Sequence, residues 1–288
     1  MKELLILSGK GGTGKTSIAG AFAYLAKNKV LVDCDVDASD LHLILNTRIK
    51  QKNDFMSGVK AKIDHSKCSG CNLCVELCQF NGITKDNDKI LVDEFSCEGC
   101  GVCAHFCPEK AIELLPNHCG FWYVSDTICG QLVHAELKPG EENSGKLVSL
   151  VKNKARELAE HLNKRLLIID GPPGVGCPVI SSISGANLIL IVSEPTLSGL
   201  HDLKRIIELA CHFKVDHAVI VNKWDLNPNL AEEIYKFCNK ENIPFLGKIP
   251  FDKKVVEALT LGKNIMEFKH CKASESIANI WQQVEKKL

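Results

Sequence analysis

Two groups of residues in this chain have the types and spacing of chemistry. The first is "GKGGTGKT", Gly9 to Thr16, which fits G-x-x-x-x-G-K-[ST]. Gly9, Gly11, Gly12, Thr13 and Gly14 let backbone N–H groups turn inward around phosphate oxygens. Lys15 neutralises those oxygens, the Thr16 hydroxyl suits Mg²⁺, and Ser17 continues the candidate nucleotide-binding run. The loop stands between an apolar strand, "ELLIL", and an Ala-rich helix whose positive end aims at the same place. A Gly-rich turn without a ligand would not need two lysines, Lys10 and Lys15.

The second group is Cys68, Cys71, Cys74 and Cys78, spaced C-x₂-C-x₂-C-x₃-C and repeated 29 residues later as Cys97, Cys100, Cys103 and Cys107. This is the run whose thiolates hold [4Fe–4S] cubes, the fourth Cys of each run serving the other cluster. Two [4Fe–4S] clusters per chain are expected. One uses Cys68, Cys71, Cys74 and Cys107, and the other uses Cys97, Cys100, Cys103 and Cys78. Zinc sites usually come as separated C-x₂-C pairs instead. Cys107 is followed by Pro108, as in the ferredoxin pattern, but Cys78 is followed by Gln79.

The remaining composition agrees. Fifteen Cys with no apolar run near the ~18 residues of a membrane span, and too short an apolar N-terminus for a signal peptide, predict a cytoplasmic chain. Thiols stay reduced there, so metal binding is the better reading than disulfides. Lys plus Arg and Asp plus Glu are both 35, which gives no electrostatic footprint for nucleic acid.

These groups need elements to hold them. Strand-like "VLVD" (Val30–Asp33) follows the first helix, and after a helical "KLVSLVKNKARELAEHL" the alternation resumes with "LLIID", "LILIV" and "AVIV". Strands separated by helices predict an α/β fold with a doubly wound, mostly parallel sheet. The expected domains are residues 1–46 and 119–288 for the nucleotide-binding part. Residues 47–118 form an inserted small α+β ferredoxin-like part. Cys119–Ser144 reads as a linking segment, with Ser144 as N-cap of the next helix. The C-terminal "SESIANIWQQVEKKL" has Ile277, Ile280, Trp281, Val284 and Leu288 at helical spacing, which suits a helix docked on its own core.

Lys10, second in the loop, makes the chain resemble the deviant-Walker P-loop ATPases of the MinD/Mrp superfamily, to which the nitrogenase iron protein is related. The resemblance covers everything outside the insertion. It implies an ATP-dependent homodimer, or a dimer with a paralogue, in which Lys10 reaches the partner's nucleotide. It makes Lys10, Lys15, Asp35 and Asp170 the catalytic set. In "VDCDVDA" Asp35 is the best match for positioning the attacking water, with Asp33 and Asp37 as alternatives. In "IDGPPG" Asp170 resembles the residue that holds Mg²⁺ through water, and Gly174 can offer an N–H to the γ-phosphate. "VNKWD" resembles a base-reading loop, with Asn222 and Asp225, and Pro250 in "GKIPFD" resembles the loop packed against the base. ATP is expected rather than GTP.

Of the other cysteines, Cys177 in "DGPPGVGCPV" falls where the iron protein carries a ligand to a cluster shared between subunits. The resemblance therefore makes it a candidate interfacial ligand, with Cys129 or Cys119 as the second per subunit. The C-P-x-C pair of Mrp-type carriers is missing, because Val179 follows Pro178. The leading functional expectation is ATP-gated electron transfer through the two clusters to a redox partner protein. The alternative is metallocluster assembly or delivery to a maturation partner.

Overall fold

The computed structural model describes residues 1–141 and 144–288. The chain forms two compact units. One comprises Met1–Asn53, Trp122–Glu136 and Ser144–Leu288; the other comprises Asp54–Phe121 and the segment that begins at Leu137.

The first unit starts with β1 (Lys2–Ser8), α1 (Lys15–Leu25) and β2 (Lys29–Asp33). Leu4 to Leu7 are fully buried, because a strand in the middle of a parallel sheet is covered on both faces and reads as a continuous apolar run. Two 16-residue strands follow, β3 (Arg48–Ile63) and, after the Cys-rich segment, β6 (Ile112–Thr127), of which residues 54–63 and 112–121 belong to the second unit; then comes β7 (Gly130–Leu137). The rest alternates: α4 (Ser144–His161), β8 (Leu166–Pro173), α5 (Cys177–Ile183), β9 (Leu188–Ser193), α6 (Leu197–His212), β10 (Asp216–Asn222), α7 (Pro228–Lys240), β11 (Phe245–Ile249), α8 (Lys253–Thr260) and α9 (Lys272–Lys287).

The nine-stranded sheet has the order β11-β10-β9-β1-β8-β2-β7-β6-β3, and β1 pairs in parallel with both β8 and β9. The chain thus leaves β1 toward one side of the sheet and later crosses to the other. Ligands of open α/β sheets bind at such a reversal, beyond the carboxyl ends of the strands. Ser8, Asp33, Asp170 and Ser193 are the residues found there. The α/β, doubly wound, mostly parallel sheet expected from the sequence is present.

The expected linking segment Cys119–Ser144 is overturned. It contains the end of β6 and all of β7, which pairs in parallel with β2 through Leu31–Leu132 and Val32–Val133. Leu132, Val133, His134 and Ala135 are all buried. A titratable His inside the apolar run hid the strand pattern. The two residues between β6 and β7 leave room only for an antiparallel reversal. Ser144 is the first residue of α4, and the position before it lies outside the described residues.

α9 docks on the core. Ile277, Ile280, Trp281 and Val284 are buried, and the Trp281 ring lies 5.0 Å from that of Phe22 on α1. Burying an aromatic pair of this kind contributes about 3–5 kcal/mol per large ring lost on truncation. That load fixes α1, and with it the loop that α1 ends.

In the second unit, β4 (Ile83–Asp86) and β5 (Lys89–Val92) form an antiparallel hairpin. Two short helices, α2 (Leu73–Leu77) and α3 (Val102–His105), accompany it. Its core is small: Ile63, Ile83 and Ile90, with Cys68, Cys74, Cys78 and Cys103 packed against them.

Candidate functional site

The loop Gly9–Gly14 leaves β1 and enters α1 through Gly14 in a left-handed conformation (φ 89°). A Cβ there would stand 2.3 Å from Asn222 Nδ2, so only glycine fits. A cleft of about 630 Å³ opens on this loop, lined by Lys10 to Ser17 together with Asp35, Asp37, Asp40 and Pro173. A larger groove of about 1060 Å³ includes Leu188 and Asp216, which open β9 and β10. It lies at the wrong edge of the sheet for phosphate chemistry, so the smaller cleft is the candidate site.

Lys15 is 5% exposed and sits among carboxylates: Nζ is 2.7 Å from Asp170 Oδ1 and 3.6 Å from Asp35 Oδ2. Burial pulls its ammonium pKa down, but Asp170 and then Asp35 outweigh that and hold it above the ordinary value. Burial, with the charge of Asp170, pushes Asp33 up to about 7. Burial likewise pushes Asp35 up to about 6 against the pull of Lys15. One ammonium against three carboxylates leaves the pocket short of positive charge. Asp170 Oδ2 is buried and has no hydrogen-bond partner among the described residues. A hydrated divalent cation beside Thr16 and Asp170 would satisfy both deficits, so the residues present fit Mg²⁺.

The three acids after β2 have separate tasks. Asp33 is fully buried and accepts from the N–H of Asp35 (3.0 Å), the hydroxyl of Ser39 (2.9 Å) and the N–H of Leu41 (3.1 Å). It folds the loop. Asp35 faces Lys15 and the cleft, while Asp37 is exposed.

Other sequence-marked residues are engaged within the chain. Gly174 (φ 85°) donates its N–H to the Ser8 carbonyl at 3.0 Å. Asn222 donates from Nδ2 to the Thr13 carbonyl (2.7 Å), so it braces the phosphate loop. Asp225 accepts the Phe251 N–H at 2.6 Å, directly after Pro250. Lys10 does not project away; it turns toward Ser198, Thr196 and Glu194. Sequence reasoning passed over Glu194, Thr196, Ser198 and Lys223. Glu194, Thr196 and Ser198 carried no signal but position, at or just past the end of β9, while Lys223 stands inside the quoted "VNKWD" run without having been singled out.

All fifteen cysteines are free thiols. Cys68, Cys71, Cys74 and Cys107 line one small cavity, and Cys78, Cys97, Cys100 and Cys103 line another. The fourth member of each set comes from the other run. Among the described residues no three His, Cys, Asp or Glu converge on a point that could hold one ion. A mononuclear zinc site would bring its sulfurs within about 3.8 Å of one another, from Zn–S ≈ 2.3 Å and tetrahedral geometry. Four thiols around each cavity match the ligand number of one [4Fe–4S] cluster.

The 29-residue repeat is also written in the backbone. Gly70 and Gly99 (φ 72° and 65°), Asn72 and Gly101 (66° and 81°), and Asn81 and Lys110 (54° and 50°) hold positive φ in equivalent places. Left-handed residues two apart, at 70 and 72 and again at 99 and 101, give the two cysteine runs the same backbone turn. Eight thiols in two sets of four fit a pair of such clusters.

Cys177 is exposed at the first residue of α5, Cys119 is buried with its thiol on the Ser57 carbonyl (3.0 Å), and Cys129 is buried. The first and the last of these belong to the first unit and Cys119 to the second.

The doubly wound sheet and the P-loop at its point of reversal define a nucleotide-binding P-loop protein of the MinD/ParA type. The chain belongs to the CobQ/CobB/MinD/ParA nucleotide binding domain family, which matches residues 4–265. It is 34% identical to an uncharacterized protein of Methanocaldococcus jannaschii, over 98% of this chain and 96% of that one. It is 27% identical to an iron-sulfur cluster carrier protein of Pyrococcus horikoshii, over 42% of this chain and 45% of the carrier. Among solved structures, the MinC:MinD cell division protein complex of Aquifex aeolicus aligns with a TM-score of 0.57 at 22% identity, covering 99% of this chain and 96% of that one. MinD of Pyrococcus horikoshii complexed with Mg-ADP gives 0.57 at 15% identity, covering the same shares. At such identities the structures establish the fold. No helix among the described residues is long and apolar enough to cross a membrane.

Proposed function

We propose that the chain is an ATP-dependent iron–sulfur protein. In a homodimer, ATP binding and hydrolysis would govern electron transfer through two [4Fe–4S] clusters to a partner protein. The observation that carries this reading is the presence in one chain of a phosphate loop with its acids and of two cavities each lined by four thiols.

In this reading the N–H groups of Gly11 to Lys15 and the Lys15 ammonium hold the phosphates. Thr16 and Asp170, the latter through water, hold Mg²⁺, which supplies positive charge to the phosphate oxygens when bound. Lys15 then exchanges part of its contact with Asp170 for phosphate. Asp35 orients the attacking water and Lys10 serves the nucleotide of a second copy. Gly174 gives up its bond to Ser8 when the loop after β8 turns to the γ-phosphate. Asn222 and the Pro250 backbone flank the base. Cys68, Cys71, Cys74 and Cys107 hold one cluster, and Cys97, Cys100, Cys103 and Cys78 the other; each supplies a one-electron carrier when bound. The thiol-bearing segment Asp54–Phe121 has ten Asp and Glu against six Lys, a local acidity that favours a partner with a basic face.

The resemblance to iron-sulfur cluster carrier proteins favours a second reading, in which the clusters are cargo delivered to an apo-protein. An anaerobic redox titration followed by EPR, with and without MgATP, separates the two. Electron transfer predicts a shift of tens of millivolts or more. A 100 mV shift equals ~2.3 kcal/mol for one electron, which the nucleotide supplies only by binding the two redox states differently. Identical titrations, together with cluster loss to an apo-acceptor on adding ATP, would put delivery first.

A further inference from the structure

The loop after β9 has no motif, yet it restrains the phosphate loop at two points. The Glu194 carboxylate, 13% exposed, lies between two ammoniums: Lys223 Nζ is 2.5 Å from Oε1 and Lys10 Nζ is 3.6 Å from Oε2. Lys10 Nζ also lies 3.3 Å from Ser198 Oγ and 3.5 Å from Thr196 Oγ1. Lys223 Nζ in turn donates to the Gly12 carbonyl at 2.8 Å. One carboxylate therefore restrains Lys10 directly and the crest of the loop through Lys223.

The two sides of this contact differ in stiffness. On the Glu194 side, the Thr196 N–H bonds the Glu194 carbonyl (2.8 Å) and the Gly199 N–H bonds Thr196 Oγ1 (2.9 Å). A Cβ at Gly199 would stand 2.3 Å from the Glu194 carbonyl, so the turn is packed tight. On the Lys10 side, a Cβ at Gly11 or Gly12 would meet nothing within 4 Å. Gly9, before Lys10, is packed against Asp202, so the room lies beyond Lys10 and around its side chain rather than in the start of the loop.

We propose that Glu194 is a positioning residue that holds Lys10 on its own chain, with Thr196 and Ser198 as further acceptors. Pairing of two copies around nucleotide then requires Lys10 to leave Glu194 before it can serve the other copy. The proposal rests on the dimer reading above for the destination of Lys10, but not for the hold itself. Lys10 is 37% exposed, so water competes and the hold is reversible, amounting to a few-fold in equilibrium.

The test is Glu194→Gln, which keeps an acceptor oxygen for Lys223 and removes the charge. The rate at which Lys10 is acylated by acetic anhydride, read by mass spectrometry in the nucleotide-free protein, is expected to rise about threefold or more. Ser198→Ala, which leaves the Thr196 cap in place, is expected to give a smaller rise. With ATP, the concentration at the midpoint of dimerisation is expected to fall about three- to tenfold, since both copies are released. Equal Lys10 acylation in wild type, Glu194→Gln and Ser198→Ala would overturn the proposal. A wild type that stays monomeric with ATP at every concentration would remove the dimer reading, and the acylation rates would still decide whether Glu194 holds Lys10.

Discussion

Replacing Asp33 and Asp35 one at a time by Asn should separate two acids that stand two residues apart. Asp33 accepts three hydrogen bonds and is fully buried. An amide keeps one acceptor oxygen and points an NH₂ group at donors, so at least one bond is lost and a donor is buried without a partner. That costs about 2–3 kcal/mol. At roughly 2–4 °C per kcal/mol for a unit of this size, the melting point should drop by about 4–12 °C. The loop from Cys34 to Leu41 should loosen with it, weakening both ATP binding and hydrolysis. Asp35→Asn removes a largely buried 3.6 Å ion pair, but Lys15 keeps Asp170 at 2.7 Å and burial already disfavours the Asp35 charge, so the net loss of stability should be small. It should melt near wild type and still bind ATP. Its single-turnover phosphate release should fall by about 10²–10⁴-fold if Asp35 handles the water. Asp37→Asn, at an exposed position, is the control and should change neither. Thermal unfolding, binding of a fluorescent ATP analogue and phosphate release measure the three effects. A stable Asp33→Asn protein, or phosphate release lost in Asp37→Asn rather than Asp35→Asn, would refute the division of labour.

Anaerobic reconstitution should give about eight irons per chain, falling by about half in Cys100→Ser and unchanged in Cys119→Ser, whose thiol is already spent on Ser57. A cube shared at Cys177 would instead raise the total to about ten irons per chain and Cys177→Ala would return it to about eight; unchanged iron and activity in that variant would remove the shared-cluster idea. Gly99→Ala puts a Cβ 2.0 Å from the Val59 carbonyl at φ 65°, so it should strip iron from the Cys97 set before the Cys68 set, as EPR of the two centres would show. His134 is buried beneath His42 and Tyr123, and burial first, then His42, lowers its pKa from 6.5 to about 4. The unfolded chain therefore binds the extra proton between those values. The stabilisation is present above pH 6.5 and lost as pH falls toward 4, in total about 3 kcal/mol. Urea midpoints at pH 7.5 and 4.5 should converge in His134→Gln, and an unchanged slope would count against this.

What was legible in the sequence was whatever chemistry is local. Gly9 to Thr16 and the eight cluster-spaced cysteines are defined by spacings of two to four residues. Short-range backbone geometry makes such spacings equivalent to positions in space. The 29-residue repeat recurs in the positive-φ residues for the same reason. The apolar runs of β1, β8, β9 and β10 were equally plain, because a doubly covered strand leaves no polar face to disguise it. β7 was missed because its pairing with β2 buries a histidine that composition reads as polar. Three further matters were decided only by the tertiary structure. Asp33, Asp35 and Asp37 are alike as residue types, and only burial and hydrogen bonding separate the loop-folding Asp33 and the Lys15-facing Asp35 from the exposed Asp37 at the cleft's rim. Asn222 and Asp225 stand in a run that resembles a base-reading loop, and only the folded chain shows that they also brace Thr13 and Phe251. Lys10 could point anywhere from a glycine-rich loop. Its direction is set by Glu194, 184 residues away, which long-range packing brings beside it and no local spacing announces.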